Sequence, residues 1–124
     1  MARASITPQD AGCQSYLIYK LEKLGFFCEK YTINGVSNLV ARWGQGPNHF
    51  AFSGHTDVVP PGPLDRWKSP PFSPVISKNK LYGRGAADMK TGIAAMLAAT
   101  ERTIASLDKE KVSFWWLITS DEEG

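Results

Sequence analysis

The segment Val112–Thr119, with the sequence VSFWWLIT, restricts the possible folds more than any other part of the chain. A strand at a protein surface alternates polar and apolar residues, but this segment is apolar at both sets of positions. We therefore predict that residues 112–119 form the central strand of a covered sheet. An acidic cluster, Ser120-Asp121-Glu122-Glu123, follows this strand directly.

A second apolar pattern predicts a helix that leads into this strand. Residues 89–107 carry apolar side chains at helical spacing, and four alanines among them allow close packing. A short strand is predicted before the helix, at 49–53. Strand, helix and strand in this order are typical of a βαβ crossover, which is right-handed by strong precedent. The predicted buried stripe of the helix consists of Ile93, Met96, Leu97, Thr100, Ile104 and Leu107.

The first part of the chain predicts another helix, beginning at Thr7. Thr7 can cap this helix, Pro8 suits its first position, and Asp10 completes a spacing similar to a capping box. Apolar residues then recur at helical spacing until Gly25, which ends the pattern. Three short segments of strand composition follow and predict a small β-meander: 26–32, 38–43 and 49–53.

A proline-rich stretch separates the meander from the long helix. Six of the eight prolines fall between Pro60 and Pro74, and proline fixes φ and donates no hydrogen bond to a sheet. We predict a long, stiffened loop here, and loops of this length inside a compact domain usually have a function. A short strand at 80–82 and a turn at 83–85 connect the loop to the helix.

Composition and charge exclude several classes of function. The chain has 124 residues, a size typical of one domain, and its net charge of +2 argues against a nucleic-acid-binding surface. No apolar run is long enough to span a membrane, and the first residues lack the apolar region of a secretory signal. We expect a cytoplasmic protein in which Cys13 and Cys28 are buried free thiols.

Polar residues gather at both ends of the predicted crossover. His55 and Asp57 follow its first strand, Asp88 precedes its helix, and Glu122 and Glu123 follow its second strand. In a parallel α/β sheet, ligands bind at the edge where the carboxyl ends of the strands meet. We therefore expect these five side chains to converge at that edge.

The residue types at this edge suit a metal site. Imidazole nitrogen and carboxylate oxygen are zinc ligands, and Asp57 can fix the tautomer of His55 because residues two apart on an extended chain point the same way. Asp88 can bridge two cations, while Glu122 and Glu123 point to opposite sides. Two carboxylates 4 Å apart repel by ~4 kcal/mol at an effective dielectric of 20, and two zinc ions would offset that repulsion.

Each of these features also has a purely structural interpretation. A histidine after a strand can be a structural residue, an aspartate at a helix start can be a cap, and an acidic run can be a solvated loop. An α/β domain with solvated acidic loops therefore stays open as an alternative. We assign His49, a strand residue beside a turn, to the structural class.

The chain contains four distinctive motifs: SGHTDVVP at 53–60, Trp67 with Pro71-Phe72 and Pro74, YGRGAADMK at 82–90, and TSDEEG at 119–124. They resemble the signatures of the two-zinc exopeptidase and deacylase family, which includes aminoacylases, carboxypeptidases and acetylornithine deacetylase. The resemblance covers nearly the whole chain. The start of the chain, with Ser5-Ile6-Thr7-Pro8, and the string GRGAADMK resemble the desuccinylases of the family in particular.

The resemblance implies a role for each candidate residue. His55 would bind one zinc, Glu123 the other, and Asp88 both. Asp57 would orient His55, and Glu122 would be the general base that passes a proton from water to the leaving amine. The cofactors would be two Zn²⁺, for which Co²⁺ can substitute. The substrate would be a small molecule, N-succinyl-diaminopimelate, hydrolysed to succinate and diaminopimelate in the biosynthesis of lysine and diaminopimelate.

The chain also departs from the family pattern. Family members run to several hundred residues and supply a further acidic ligand, a second histidine near their end, and an inserted dimerisation domain. None of these is present, so we predict that residues 1–124 are the N-terminal portion of the catalytic domain and nearly inactive alone. A homodimer is expected for the full-length parent. Two alternatives stay open: another amidohydrolase of the family, such as an acetylornithine deacetylase or a dipeptidase, and a non-catalytic remnant.

Overall fold

The computed structural model describes residues 1–124, and it contains a four-stranded mixed sheet, two helices and a separate two-stranded hairpin. This architecture confirms the predicted α/β class with a mixed sheet. Two single-turn 3₁₀ segments supplement the regular elements, at Leu64–Arg66 and Ile104–Ser106. The helices and strands are α1 (Cys13–Lys23), β1 (Phe27–Ile33), β2 (Val36–Trp43), β3 (Asn48–His55), β4 (Val75–Ser77), β5 (Lys80–Tyr82), α2 (Lys90–Thr103) and β6 (Val112–Thr119).

The sheet has the strand order β1-β2-β6-β3, so β6 is an internal strand as predicted. It pairs antiparallel with β2 and parallel with β3. The crossover from β3 through α2 to β6 is therefore confirmed, whereas its right-handed sense stays a prediction. The predicted β-meander is wrong at its third strand: β1 and β2 form an antiparallel hairpin, but β6 lies between β2 and β3. The most apolar strand takes one of the two positions that have a partner on both edges.

The core lies between the sheet and both helices. Leu17 and Leu21 of α1 and Ile93 and Leu97 of α2 belong to one buried cluster with alternate residues of β2 and β6. Trp116 is fully buried in this cluster. Burial of a side chain of this size stabilises the fold by roughly several kcal/mol, as judged from transfer free energies. The members from the sheet are Leu39, Ala41, Trp43, Phe114, Trp116 and Ile118.

The opposite face of the sheet is open. Leu117 of β6 is 41% exposed, and Phe27 and Ile33 on the same side of β1 are 68% and 62% exposed. The prediction of a covered sheet is therefore wrong for one face, because α1 and α2 both contribute to the cluster around Trp116. No helix in the structure has the length and apolar character that crossing a bilayer requires.

The first helix begins at Cys13 and not at Thr7. The backbone of Ser5 and Thr7 instead pairs with Val58, which keeps residues 5–7 extended. The N-cap residue is Gly12, and Asp10 lies before the helix, where its carboxylate accepts the backbone N–H of Gln14 at 3.0 Å. The expected capping by Thr7 is wrong, since its hydroxyl donates elsewhere, to Asp121.

Two smaller expectations also change. Cys13 and Cys28 are free thiols, as predicted, but both are half-buried rather than buried. Burial raises the pKa of the Cys28 thiol to about 11, helped by the charge of Glu22, so this thiol is protonated at neutral pH. A hairpin follows the proline-rich loop, and in it β4 pairs with the predicted strand β5.

Candidate metal centre

The metal centre is built where β3 and β6 end side by side. His55, the last residue of β3, is in register with Thr119, the last residue of β6. The next amide, that of Thr56, donates to the Thr119 carbonyl at 2.9 Å and holds the two emerging loops together. Asp88 lies two residues before α2, at the point where the chain returns to this edge. The parallel pairing thus brings all three polar motifs to one place.

Three side chains converge closely enough to share a cation. One ligand atom from each of His55, Asp88 and Glu123 lies within 4.8 Å of the other two. The His55 ring is buried, whereas the side chain of Asp88 is 71% exposed. Nε2 of His55 lies 3.0 Å from Oδ1 of Asp88 and 3.7 Å from Oε2 of Glu122. The structure therefore brings four of the five predicted side chains together: His55, Asp88, Glu122 and Glu123.

Asp57, the fifth predicted residue, lies completely buried beneath the other four. Its Oδ2 accepts the backbone N–H groups of Glu122 and Glu123, both at 3.1 Å. Its Oδ1 lies 3.3 Å from Nδ1 of His55. Sequence spacing indicated the contact with His55, but nothing in it indicated the two amide contacts, because these require the loop after β6 to fold back over Asp57.

Both ring nitrogens of His55 face hydrogen-bond acceptors. Nδ1 faces the backbone carbonyl of Asp57 at 3.1 Å and its carboxylate, and Nε2 faces the Asp88 carboxylate. A neutral imidazole carries one N–H, so one of its nitrogens would turn a lone pair toward an acceptor. A positive charge at Nε2, either a proton or a metal ion, removes this conflict.

The pKa of His55 reflects the same surroundings. Burial is the largest single influence and lowers the pKa of His55. Hydrogen bonds to Asp88 and to the Asp57 carbonyl, together with the charges of both carboxylates, raise this pKa by a larger total amount. The net result is a pKa above the ordinary value of 6.5. A cation is therefore favoured at this position. The nitrogen and oxygen donors fit a divalent metal such as zinc.

Comparison with protein families and known proteins finds sequences similar to the whole chain. The family described as peptidase family M20/M25/M40 matches residues 51–124. Over its whole length, the chain is 82% identical to succinyl-diaminopimelate desuccinylase 1 of Alteromonas mediterranea, of which it covers 32%. It is 56% identical to the succinyl-diaminopimelate desuccinylase of a Janthinobacterium species, of which it covers 33%. The chain thus spans about a third of the length of these relatives.

Solved structures share the fold over nearly all of this chain. The M20 family metallo-carboxypeptidase Sso-CP2 from Sulfolobus solfataricus aligns with a TM-score of 0.83 and 27% identity, covering 94% of this chain and 28% of that one. Human carnosine dipeptidase 1 aligns with a TM-score of 0.74 and 27% identity, covering 90% of this chain and 26% of that one. The sheet and its helices therefore match one part of larger metallopeptidases.

Proposed function

Because the chain belongs to peptidase family M20/M25/M40, we propose that it supplies the N-terminal part of the catalytic domain of a zinc-dependent amide hydrolase. Membership of this metallopeptidase family implies a divalent metal. The proposed reaction converts N-succinyl-diaminopimelate and water to succinate and diaminopimelate. The high identity to proteins named desuccinylases supports this choice of a small-molecule substrate over the dipeptides and acetylornithine of other family members.

The observation that carries the proposal is the surroundings of His55. Its Nδ1 faces Asp57 and its Nε2 faces the carboxylate of Asp88, and Glu123 offers a further ligand atom within 4.8 Å of theirs. We assign His55 and Glu123 to one zinc each and Asp88 to both. Zinc bound there would act as a Lewis acid that polarises an amide carbonyl and lowers the pKa of water.

Glu122 is the proposed general base. Its side chain is 60% exposed and lies at the open end of the cluster, whereas its backbone is fixed by Asp57 below. A carboxylate in this position can take a proton from the attacking water and deliver it to the leaving amine. Asp57 has a different task, because it is fully buried and orients His55 without reaching the substrate.

Calorimetric titration of the chain with zinc tests the ligand assignment. We expect Glu123→Gln to weaken zinc binding strongly, because a neutral amide replaces an anionic ligand, and Glu122→Gln to leave it nearly unchanged. Glu101→Gln is the matched control, since Glu101 is an exposed residue of α2 paired with Lys20. The reverse result, with zinc binding lost in Glu122→Gln and kept in Glu123→Gln, would exchange the roles of the two residues.

Activity is tested in a full-length protein that contains this chain. Glu122→Gln should reduce succinate release from N-succinyl-diaminopimelate by several orders of magnitude while the bound metal stays. N-acetylornithine and dipeptides serve as competing substrates in the same assay. Faster hydrolysis of either than of the succinyl substrate would assign the protein to another amidohydrolase of the family.

A further inference from the structure

The N-terminal residues 5–10, here called the strap, run beneath the metal centre. On one side the strap contacts the loop that carries His55. Ser5 and Thr7 exchange backbone hydrogen bonds with Val58 at 2.9 and 3.1 Å, and the Ser5 hydroxyl donates to the Thr56 carbonyl at 2.6 Å. The Thr56 hydroxyl in turn donates to the Asp10 carboxylate at 2.8 Å. Thr56 and Val58, the residues that directly follow His55 and Asp57, are thus bonded to the strap.

On its other side the strap contacts the loop that carries Glu122 and Glu123. The Thr7 hydroxyl donates to Oδ1 of Asp121 at 2.6 Å. The Ser120 hydroxyl donates to the Pro8 carbonyl at 2.9 Å and accepts the backbone N–H of Ser37 at the same distance. The strap therefore bonds to both of the loops that bring ligands to the centre.

The strap supports the centre without belonging to the apolar core. None of its residues is a member of the buried cluster between sheet and helices. Its bonds through Ser5, Asp10 and Ser120 are nevertheless protected from water, because Ser5 and Ser120 are fully buried and Asp10 is 8% exposed, whereas the bond from Thr7 to Asp121 lies at the surface. Each buried hydrogen bond contributes about 0.5–1.5 kcal/mol net, and more is lost when a buried partner stays unsatisfied.

We propose that the strap sets the spacing between the two ligand-bearing loops, and that Thr7 is a positioning residue for Glu122 and Glu123 through Asp121. Asp57 joins the two loops directly, and the strap joins them a second time from below. This inference rests on the proposed function, because it concerns the same metal centre. It gives a physical role to the Ser5-Ile6-Thr7-Pro8 start of the chain, which contributes no metal ligand.

Substitutions of Thr7 separate positioning from folding. Thr7→Val removes the hydroxyl at nearly constant volume, and Thr7→Ser keeps it. Thr103→Val is the matched control, because the Thr103 hydroxyl donates to the Ala99 carbonyl at 2.8 Å at the end of α2, remote from the metal centre. For each variant of the chain we would measure the zinc dissociation constant by calorimetry, amide hydrogen exchange at Glu122 and Glu123 by NMR, and the thermal midpoint.

We expect Thr7→Val to weaken zinc binding roughly 2- to 10-fold, the factor that corresponds to one net hydrogen bond. Exchange of the Glu122 and Glu123 amides should accelerate, while the thermal midpoint falls no more than in Thr103→Val. Thr7→Ser should restore both zinc affinity and amide protection.

Two results would overturn the inference. One is unchanged zinc affinity and unchanged amide exchange in Thr7→Val. The other is an equal loss in Thr7→Val and Thr7→Ser, which would show that the hydroxyl is not the cause. Wild-type chain that binds no zinc would instead contradict the proposed function, and the amide exchange measured without metal would still decide the role of the strap.

Discussion

Asp57 is the residue on which the geometry of the metal centre most depends. One carboxylate oxygen faces Nδ1 of His55, and the other accepts the amides of Glu122 and Glu123. The Asp57 backbone carbonyl, 3.1 Å from Nδ1, and the carboxylate beside it can accept but not donate, so Nδ1 carries the proton of a neutral ring and Nε2 is left for a cation. We therefore expect Asp57 to influence both the tautomer of His55 and the position of the glutamate pair.

Asp57→Asn tests this influence. The amide oxygen can still accept the Glu122 and Glu123 amides, but the NH₂ group then faces Nδ1 of His55 and favours an acceptor there, in competition with the Asp57 backbone carbonyl. The ring proton is shifted toward Nε2, where it competes with the metal. We expect zinc affinity, measured by calorimetry, to fall about 10- to 100-fold, as for other partners of metal-ligating histidines.

Asp108→Asn is the control for this substitution, since Asp108 is an exposed residue remote from the centre. Zinc affinity in Asp57→Asn equal to that of the control would show that Asp57 does not set the tautomer of His55. A thermal midpoint measured without metal distinguishes this result from a general loss of folding.

The parts of the site that could be predicted from sequence are those fixed by local geometry or by strand direction. The spacing of His55 and Asp57 on an extended chain indicated their contact, and the parallel pairing of β3 and β6 indicated the approach of the glutamates. The contacts of the strap could not be predicted, because the hydroxyls of Ser5 and Thr7 bond to residues far along the chain, and serine and threonine occur in most loops.

At the level of elements, β6 determines the arrangement of the sheet. Its sequence indicated an internal strand but not which strands would flank it, and for that reason the β-meander was a reasonable but wrong expectation. A strand added last in the sequence can insert between two earlier ones, here β2 and β3. The chain before β6 must leave room for this insertion, and Gly46 in the β2–β3 connection lies against its start.

Gly46→Ala tests how tightly β6 is inserted. A Cβ atom on Gly46 would lie 2.0 Å from the backbone carbon of Lys111 and 2.1 Å from the nitrogen of Val112. Because neither backbone atom can move without displacing β6, we expect a loss of about 3 kcal/mol or more in the free energy of unfolding. Urea unfolding followed by tryptophan fluorescence measures it.

Gly35→Ala provides the comparison, because no atom lies within 4 Å of a Cβ at Gly35, whose φ is +85°. Its cost is backbone strain alone, about 1–2 kcal/mol. A Gly46→Ala variant no less stable than Gly35→Ala would mean that the β2–β3 connection can move away from β6.

At the level of the whole molecule, the sheet has one covered and one open face. The lack of polar–apolar alternation in β6 correctly indicated that both faces are apolar, but an apolar face does not specify what covers it. Within this chain, α1 and α2 cover the side of Trp116, and the side of Leu117 stays exposed. The metal centre is also exposed to solvent, because the carboxylate of Asp88 is largely exposed.

The small number of ligands and the exposure of the metal centre predict that the 124-residue chain binds zinc but does not turn over substrate. Three ligand residues, His55, Asp88 and Glu123, suffice for one cation and leave two incompletely coordinated. An exposed centre also excludes little water, which weakens the electrostatic stabilisation of charge in a transition state. Purified chain supplied with zinc and N-succinyl-diaminopimelate should release no succinate above background, while a full-length relative assayed in parallel does. Zinc-dependent succinate release by the chain, abolished by Glu122→Gln, would show instead that residues 1–124 already contain a sufficient catalytic site.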